Sequence, residues 1–391
     1  MSVLEGAPES PALRALSRSA PAAPPAHPTV RRLRRGTKGE LLVALPRGFT
    51  AGREVRPGEN LLLTPLADGR LVVSRPDLRG GKVRFDVRLA PTEPPEHGFR
   101  RLVAAYLSGA GELVLRAEPG QVRQILPEFL RRTSHLEVLR ASGREEVLKD
   151  VSEGHLPDFP SLLRRMFQLV LELQRAAGEA LAGGIPDPSL ERRDDDVDRL
   201  AWLLQRGLVQ GSKGPPGADG PGADASSGLS YLATARALER VADHAVLLSE
   251  AVSRLPPGSL PARFRSSLVG LHQQTLSALG EAQRLLEDPD PDQANRLIDS
   301  IEGIRVGRHA LLDRLLGHRE IGHIPGSCLV PLALILESID RTAAYGTDLA
   351  EIALDAGVEK ALSPRSLPDG RAPPERPSTT PRNTREKKEK S

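Results

Sequence analysis

Residues 234–255 read TARALERVADHAVLLSEAVSRL, and this stretch decides the fold of the larger part of the chain. Its apolar residues recur at steps of one, three and four, which is typical of the buried face of an amphipathic helix. The members of that face are Leu238, Val241, Ala242, Ala245, Leu248 and Val252. Glu239 and Asp243 lie four residues apart on its flank, where two like charges repel by about 0.2–0.5 kcal/mol. This repulsion favours a compensating cation, for which the adjacent His244 is a candidate nitrogen donor.

A second stretch, RRDDDVDRLAWLLQR at 192–206, repeats the arrangement. Its apolar face consists of Val197, Leu200, Ala201, Leu204 and, just beyond, Leu208. Asp194 and Asp198 again lie four residues apart, on the same flank of their helix. Two such helices packed antiparallel would bring the four carboxylates together, and oxygen ligands of this kind suit hard cations. The predicted metal ligands are therefore Asp194, Asp198, Glu239 and Asp243, with iron, zinc, manganese or magnesium as the divalent or trivalent ion.

The segments LERVADHA at 238–245 and DDDVDRL at 194–200 resemble the paired signatures of the PhoU family, regulators of the phosphate-specific transporter. The element repeated in that family is an acidic residue, three others and an aspartate, on each of two helices of a three-helix unit. The resemblance covers about 160–356. It implies an all-α domain that contacts the phosphate transporter ATPase or a sensor partner and damps uptake when phosphate is plentiful.

Apolar periodicity predicts two three-helix units between residues 160 and 356. Their helices are Pro160–Ala182, Asp187–Val209 and Leu229–Leu255, then Leu260–Leu286, Pro291–Leu316 and Leu329–Ala356. In the second unit Asn295 and Asp299 echo the first acidic pair and Glu337 echoes Glu239, but Arg341 stands where the last acid is expected. Because a guanidinium there repels a cation, we expect metal at the first unit only, with Arg341 paired to Glu337 or Asp299.

A small basic domain is predicted over 29–76, with strands at Leu41–Leu45, Asn60–Pro65 and Arg70–Ser74. It carries ten Lys and Arg against four acidic residues, whereas the whole chain has a net charge of +3. The strings GTKGELLVALPRGF and VRPGENLLLT resemble the AbrB/MazE/SpoVT swapped-hairpin domain. That resemblance implies a small β-barrel made by two chains, which usually binds DNA, and so a homodimer.

The candidate phosphate contacts on duplex DNA are Arg31, Arg32, Arg34, Arg35 and Lys38. Each phosphate neutralised by a basic side chain releases counterions, which is the usual basis of duplex binding. The alternative is a solvated strand edge whose charges discourage aggregation. No aromatic residue interleaves with these basic residues, which argues against stacking on single strands.

The remaining segments complete a multidomain organisation. A small α/β module is predicted over 80–152, with Pro127 kinking or shortening its second helix. Its elements are Lys82–Leu89, Gly98–Leu107, Glu112–Arg116, Pro119–Arg132, His135–Arg140 and Glu145–Val151. Residues 1–28 and 363–391 are predicted to be disordered, and 211–228 to be a flexible linker inside the helical domain.

Composition excludes several classes of protein. Aromatic residues make up 3% of the chain, which favours a helical Leu, Val and Ala core, and the single Cys328 excludes an internal disulfide. No apolar run reaches the roughly 18 residues of a spanning helix and no signal pattern is seen, so a cytoplasmic protein is expected. The chain has neither a phosphate loop nor a Ser/His/Asp arrangement, so no enzyme is predicted. Two alternatives stay open: a local transcription regulator that senses metal or a ligand, and a metal-dependent phosphohydrolase.

Overall fold

The computed structural model describes residues 30–37, 39–46, 55–56, 58–65, 71–74, 83–152, 155, 157–213, 225–317 and 324–362. The chain divides into two units, one of Met1–Gly81 with Lys213–Asp219 and one of Lys82–Ser212 with Gly220–Ser391. The predicted disordered segments at 1–28 and 363–391 lie outside the described residues. In the part of the chain that is described, no helix is long and apolar enough to cross a membrane.

Two short antiparallel ladders make up the described part of the first unit. Strand β1 (Arg34–Arg35) pairs with β2 (Leu41–Leu42), and β3 (Leu62–Pro65) pairs with β4 (Leu71–Ser74) in the predicted hairpin. Strand β2 is shorter than the sequence indicated, and β1 was not predicted. The leucines in these ladders and the adjacent Leu33 are exposed in the single chain; the ladder leucines are Leu41, Leu42, Leu62, Leu63 and Leu71.

The α/β module at the start of the second unit follows the predicted order of elements. In chain order it consists of β5 (Arg84–Arg88), α1 (Pro95–Leu107), β6 (Glu112–Arg116), α2 (Pro119–Arg132), β7 (Leu136–Ala141) and β8 (Glu145–Asp150). The sheet order is β5-β6-β8-β7, with β5 parallel to β6 and the other pairs antiparallel. The core of the module is centred on Tyr106, Leu113 and Phe129, none of which is exposed.

Helix α2 has the predicted bounds and continues through Pro127 to Arg132, so the proline does not shorten it. A proline removes one intrahelical hydrogen bond, but the inner face of this helix is held by the buried side chains of Ile125 and Phe129. At the C-terminal end the Thr133 hydroxyl donates to the Phe129 carbonyl at 2.8 Å. The last turn of α2 is therefore ordered, and it carries two arginines.

Six helices follow, as predicted. They are α3 (Phe159–Leu181), α4 (Leu190–Lys213), α5 (Ala225–Ser253), α6 (Ala262–Glu287), α7 (Pro291–Gly317) and α8 (Leu329–Leu362), with a 3-10 turn at Gly326–Cys328. Both ends of the predicted linker 211–228 are helical, because α4 extends to Lys213 and α5 begins at Ala225. All six helices contribute to one core, which includes Leu173, Leu204, Val241, Leu268, Ile301 and Ile339. The two predicted three-helix units are therefore not separate cores.

Helix α4 also packs against the α/β module. The side chain of Trp202 lies against the module's core. Arg206, with 2% of its surface exposed, donates to the Ala110 carbonyl at 2.8 Å and forms an ion pair with the buried Asp150. The Arg206 guanidinium stacks over the Tyr106 ring at 4.6 Å, and Gln210 donates to Asp150 at 3.0 Å. A buried charge is stable only when it is paired and hydrogen-bonded, and Arg206 is both.

Candidate functional site in the helical region

Helices α4 and α5 lie antiparallel, which brings the two predicted acidic pairs to the same level. Near one end the Gln205 side chain accepts a hydrogen bond from Arg236. Further along, Gly228 lies against the side chain of Leu208. The apolar faces that the sequence indicated are buried, including Val197, Leu204, Leu238 and Val241. We call Asp194, Asp198, Glu239 and Asp243 the acidic cluster.

Asp194 is the most strongly perturbed member of the acidic cluster. Loss of hydration, together with the carboxylates of Asp243, Asp198 and Asp195, raises the pKa of Asp194 to about 7. Its Oδ1 atom is buried and has no hydrogen-bond partner. An unpartnered buried carboxylate oxygen is costly unless a proton or a cation neutralises it.

The electrostatic strain extends to two other members of the acidic cluster. Partial burial and the carboxylates of Glu239 and Asp243 raise the pKa of Asp198 to about 6. The pKa of Asp243 is also raised, because the protein displaces part of its hydration shell and the Glu239 carboxylate lies nearby. The Asp243 side chain still reaches solvent, and the neighbouring Arg240 lowers the pKa. Carboxylates of two helices therefore influence one another, as the spacing predicted.

Arginines surround the acidic cluster. Within α5, Arg236 pairs with Glu239 at 2.7 Å. From the α/β module, Arg132 contacts Asp198 at 3.4 Å and the neighbouring Asp195 at 3.1 Å. Arg131 also pairs with Asp195. Neither Arg131 nor Arg132 was predicted as a site residue, because nothing in the local sequence marks an arginine at the end of a distant helix as the partner of these acids.

The donor chemistry of the acidic cluster fits a hard cation, because it consists of carboxylate oxygens and one of them is buried and unpartnered. The present arrangement does not form a closed coordination shell. Among the described residues, no group of three or more His, Cys, Asp or Glu side chains is placed to hold a metal ion. The predicted ligands are thus neighbours that do not surround a common point, and one of them, Asp198, contacts Arg132.

His244 faces helix α8 through its contact with Tyr345. Its ring lies 5.9 Å from the Tyr345 ring, at an interplanar angle of 33°. Burial and the nearby Arg341 lower the pKa of His244, and Nδ1 is buried without a hydrogen-bond partner. These surroundings favour a neutral imidazole packed on an aromatic ring over the nitrogen donor that the sequence suggested.

The second half of the helical region has a different charge arrangement. Arg341 pairs with Glu337 at 3.5 Å, which confirms one of the two predicted partners, while Asn295 and Asp299 are exposed. A carboxylate that sequence reasoning missed, Asp340, lies 3.0 Å from Arg308 and 3.5 Å from Arg305 of α7.

The candidate DNA contacts of the first unit are exposed wherever they are described. Arg31, Arg32, Arg34 and Arg35 are all exposed, and Lys38 lies outside the described residues. Arg34 and Arg35 are consecutive in β1, so their side chains leave opposite faces of the ladder. The structure therefore does not place all five basic residues on one face.

Comparison with known proteins supports part of the reading from sequence. Residues 163–252 match the family model described as "PhoU domain", and this range includes the whole acidic cluster. The predicted resemblance is thereby confirmed over those residues. The chain is also similar to the phosphate transport system regulatory protein PhoU from Streptococcus pneumoniae, at 18% identity and a TM-score of 0.40, over 51% of this chain and 94% of that chain. No curated protein matches the chain.

Proposed function

We propose that this chain regulates phosphate transport by binding, and that its helical region contacts a transporter ATPase or a sensor partner. The observation that carries the proposal is the PhoU-domain match over 163–252. Within that range lies the acidic cluster, in which the pKa values of Asp194, Asp198 and Asp243 are raised. A surface that is short of positive charge is suited to a cation or to a basic partner surface. No catalytic step is part of this proposal.

Phosphate uptake in the native cells tests the regulatory role. Deleting the gene should raise uptake of labelled phosphate in phosphate-rich medium, and the wild-type chain should restore the lower rate. Affinity capture from cells grown at high and low phosphate should recover a transporter or sensor component. Unchanged uptake after deletion would contradict the proposal. Metal-dependent turnover of a phosphoester by the purified chain would instead favour the phosphohydrolase alternative.

The second part of the proposal is a divalent or trivalent cation held by Asp194, Asp198, Glu239 and Asp243. Such an ion would supply the positive charge that these carboxylates lack and would tie α4 to α5. Elemental analysis of the purified chain should find metal that the double variant Glu239→Gln, Asp243→Asn has lost. The matched control is Glu337→Gln, which removes an exposed carboxylate of the second half and should leave the metal content unchanged.

The third part of the proposal assigns DNA binding and dimerisation to the first unit. Its support is the exposed arginines and the exposed leucines of its ladders, which a second copy would cover. Affinity of the full chain for duplex DNA should fall steeply with salt. The double variant Arg34→Ala, Arg35→Ala should flatten the plot of log binding constant against log salt concentration. The slope should change by up to about 1.8, at about 0.9 per lost phosphate contact.

The control for the DNA experiment is Arg123→Ala, which removes one exposed positive charge of the α/β module and should leave the slope unchanged. A full chain that forms dimers but does not retain DNA at low salt would leave dimerisation as the role of the first unit. A specific operator footprint without any effect on phosphate uptake would favour the alternative, a local transcription regulator.

A further inference from the structure

We propose that Arg132 is a displaceable internal counterion of Asp198, supported by Arg131 on the neighbouring Asp195, so that a bound cation and the last turn of α2 compete for the Asp198 carboxylate. This inference rests on the proposed metal site. It assigns the α/β module a role that neither its sequence nor the family match provides: its α2 end reports whether the acidic cluster is occupied by a cation.

The contacts that carry the inference join parts of the chain more than sixty residues apart. Arg132 reaches Asp195 at 3.1 Å and Asp198 at 3.4 Å, and Arg131 also pairs with Asp195. The arginine side chains are 44% and 30% exposed, whereas the side chains of Asp195 and Asp198 are 16% and 18% exposed. The positive charges therefore lie at the solvent edge, and the carboxylates lie beneath them.

Ion pairs at a solvent edge are weak, because water and salt compete for both partners. A multivalent cation that reaches the same oxygens interacts with several carboxylates at once and can displace a guanidinium. Asp198 belongs to both arrangements, since it is a predicted metal ligand and a contact of Arg132. Simultaneous occupation would place a guanidinium beside a metal ion, which like-charge repulsion opposes.

The displaced arginines would retain a partner on their own helix. Glu128 accepts hydrogen bonds from Arg131 at 2.8 Å and from Arg132 at 2.7 Å. Release from Asp195 and Asp198 would thus leave neither guanidinium without a carboxylate. Glu128 makes the change a transfer of contacts rather than the exposure of two free charges.

A second contact keeps the α/β module attached while the arginines move. The Arg206 and Asp150 side chains are 3% and 7% exposed. Breaking a buried pair of this kind is costly, unlike breaking an exposed pair. The module is therefore joined to α4 by a set of buried contacts around Arg206 and Trp202 and by the exposed arginine contacts of α2, and the expected movement is confined to the end of α2.

Titration of the metal-free full chain with Mn²⁺, followed by calorimetry, tests the competition. The double variant Arg131→Gln, Arg132→Gln should bind Mn²⁺ about tenfold more tightly, because the weak Arg132–Asp198 ion pair no longer competes and two positive charges beside the site are removed. Arg123→Gln, on the same helix, is the control for general loss of positive charge and should stay within about twofold of the wild type. Glu128→Gln should bind more weakly, because the arginines then have only the acidic side chains of α4.

Hydrogen exchange in the wild-type chain gives a readout that needs no arginine variant. Mn²⁺ should speed exchange in the peptide covering 126–134 and slow exchange around Asp198 and Glu239. Equal Mn²⁺ affinities in the wild type and the arginine variant, or unchanged exchange at 126–134 despite binding, would overturn the counterion role alone. Absence of Mn²⁺ binding in every variant would overturn both this role and the metal site.

Discussion

The two halves of the helical region treat their carboxylates in opposite ways. In the first half, four carboxylates meet between α4 and α5, and the positive charge that reaches them comes partly from another module. In the second half, Asp340 lies between Arg305 and Arg308 of the adjacent helix. The first half has an excess of negative charge, whereas the second half neutralises its carboxylate locally.

An acidic residue on such a helix can therefore raise the free energy of unfolding when it is paired with a cation, or lower it when it is not. Asp340 lies within ion-pair distance of two guanidinium groups, although its buried Oδ1 makes no hydrogen bond, and it is expected to stabilise the fold. Asp194 has a raised pKa and an unpartnered buried oxygen, so in the absence of a cation it is expected to destabilise the fold. Removing a carboxylate from each half should therefore change stability in opposite directions.

The largest effect is expected from Asp340→Asn. The substitution removes the charge between two guanidinium groups, and Arg308, whose side chain is 16% exposed, loses its carboxylate partner. We expect a loss of about 1–3 kcal/mol, because a partly buried charge that loses its partner is costly, though less so than a fully buried one. Chemical denaturation at pH 8 with a chelator measures it. A variant as stable as the wild type would show that the second half does not depend on this neutralisation.

A smaller effect of opposite sign is expected from Asp194→Asn. The pKa of Asp194 is raised from 3.8 to about 7 in the folded chain, so the folded state binds this proton more tightly than the unfolded state does. Stability should therefore fall as pH rises from about 4 to about 7, and the variant should escape that loss. After allowance for solvent screening, we expect a gain of roughly 1–2 kcal/mol at pH 8.

Thermal unfolding of the metal-free chain between pH 5 and pH 8 measures this difference, which should shrink at the lower pH. Asp195→Asn is the matched control, because Asp195 is paired with Arg131 and Arg132 and should not gain stability when neutralised. A pH-independent gain for Asp194→Asn would indicate improved packing instead of relieved charge.

The smallest effect is expected from Arg341→Gln. The Arg341 and Glu337 side chains are 54% and 57% exposed, and exposed pairs of this spacing contribute little. The free energy of unfolding should change by less than about 0.5 kcal/mol, measured by the same denaturation. A loss above 1 kcal/mol would mean that this pair is part of the second half's neutralisation, alongside Asp340.

The helices and the acidic cluster were predictable because their signals are local. Apolar residues at helical spacing indicate where each helix lies, and the buried faces around Val197 and Val241 follow that pattern. The pairs 194/198 and 239/243 meet because α4 and α5 are consecutive antiparallel helices. Helix ends were less predictable: both ends of the supposed linker at 211–228 are helical despite their Gly, Ser and Lys content.

The arginines that contact the carboxylates of the helical region from other helices were not predictable from one sequence. Most arginines in soluble proteins lie in solvent, and the sequence does not distinguish Arg132, which reaches across to α4, from Arg123, which is exposed. The same holds for Arg305 and Arg308, which contact Asp340 only once α7 and α8 have packed. Which carboxylate each arginine contacts depends on how the helices pack against one another, and the spacing of residues along the chain does not specify that packing.

Helix α4 belongs to two cores, because Val197 and Leu204 are buried in the helical core while Trp202 packs on the core of the α/β module. The boundary that the sequence suggests between 152 and 160 is therefore not a boundary for cooperativity. A fragment beginning at residue 157 would expose an indole and leave the Arg206 guanidinium without Asp150. The module and the helices should melt in a single transition, and separating them would yield two pieces that are each less stable than the whole.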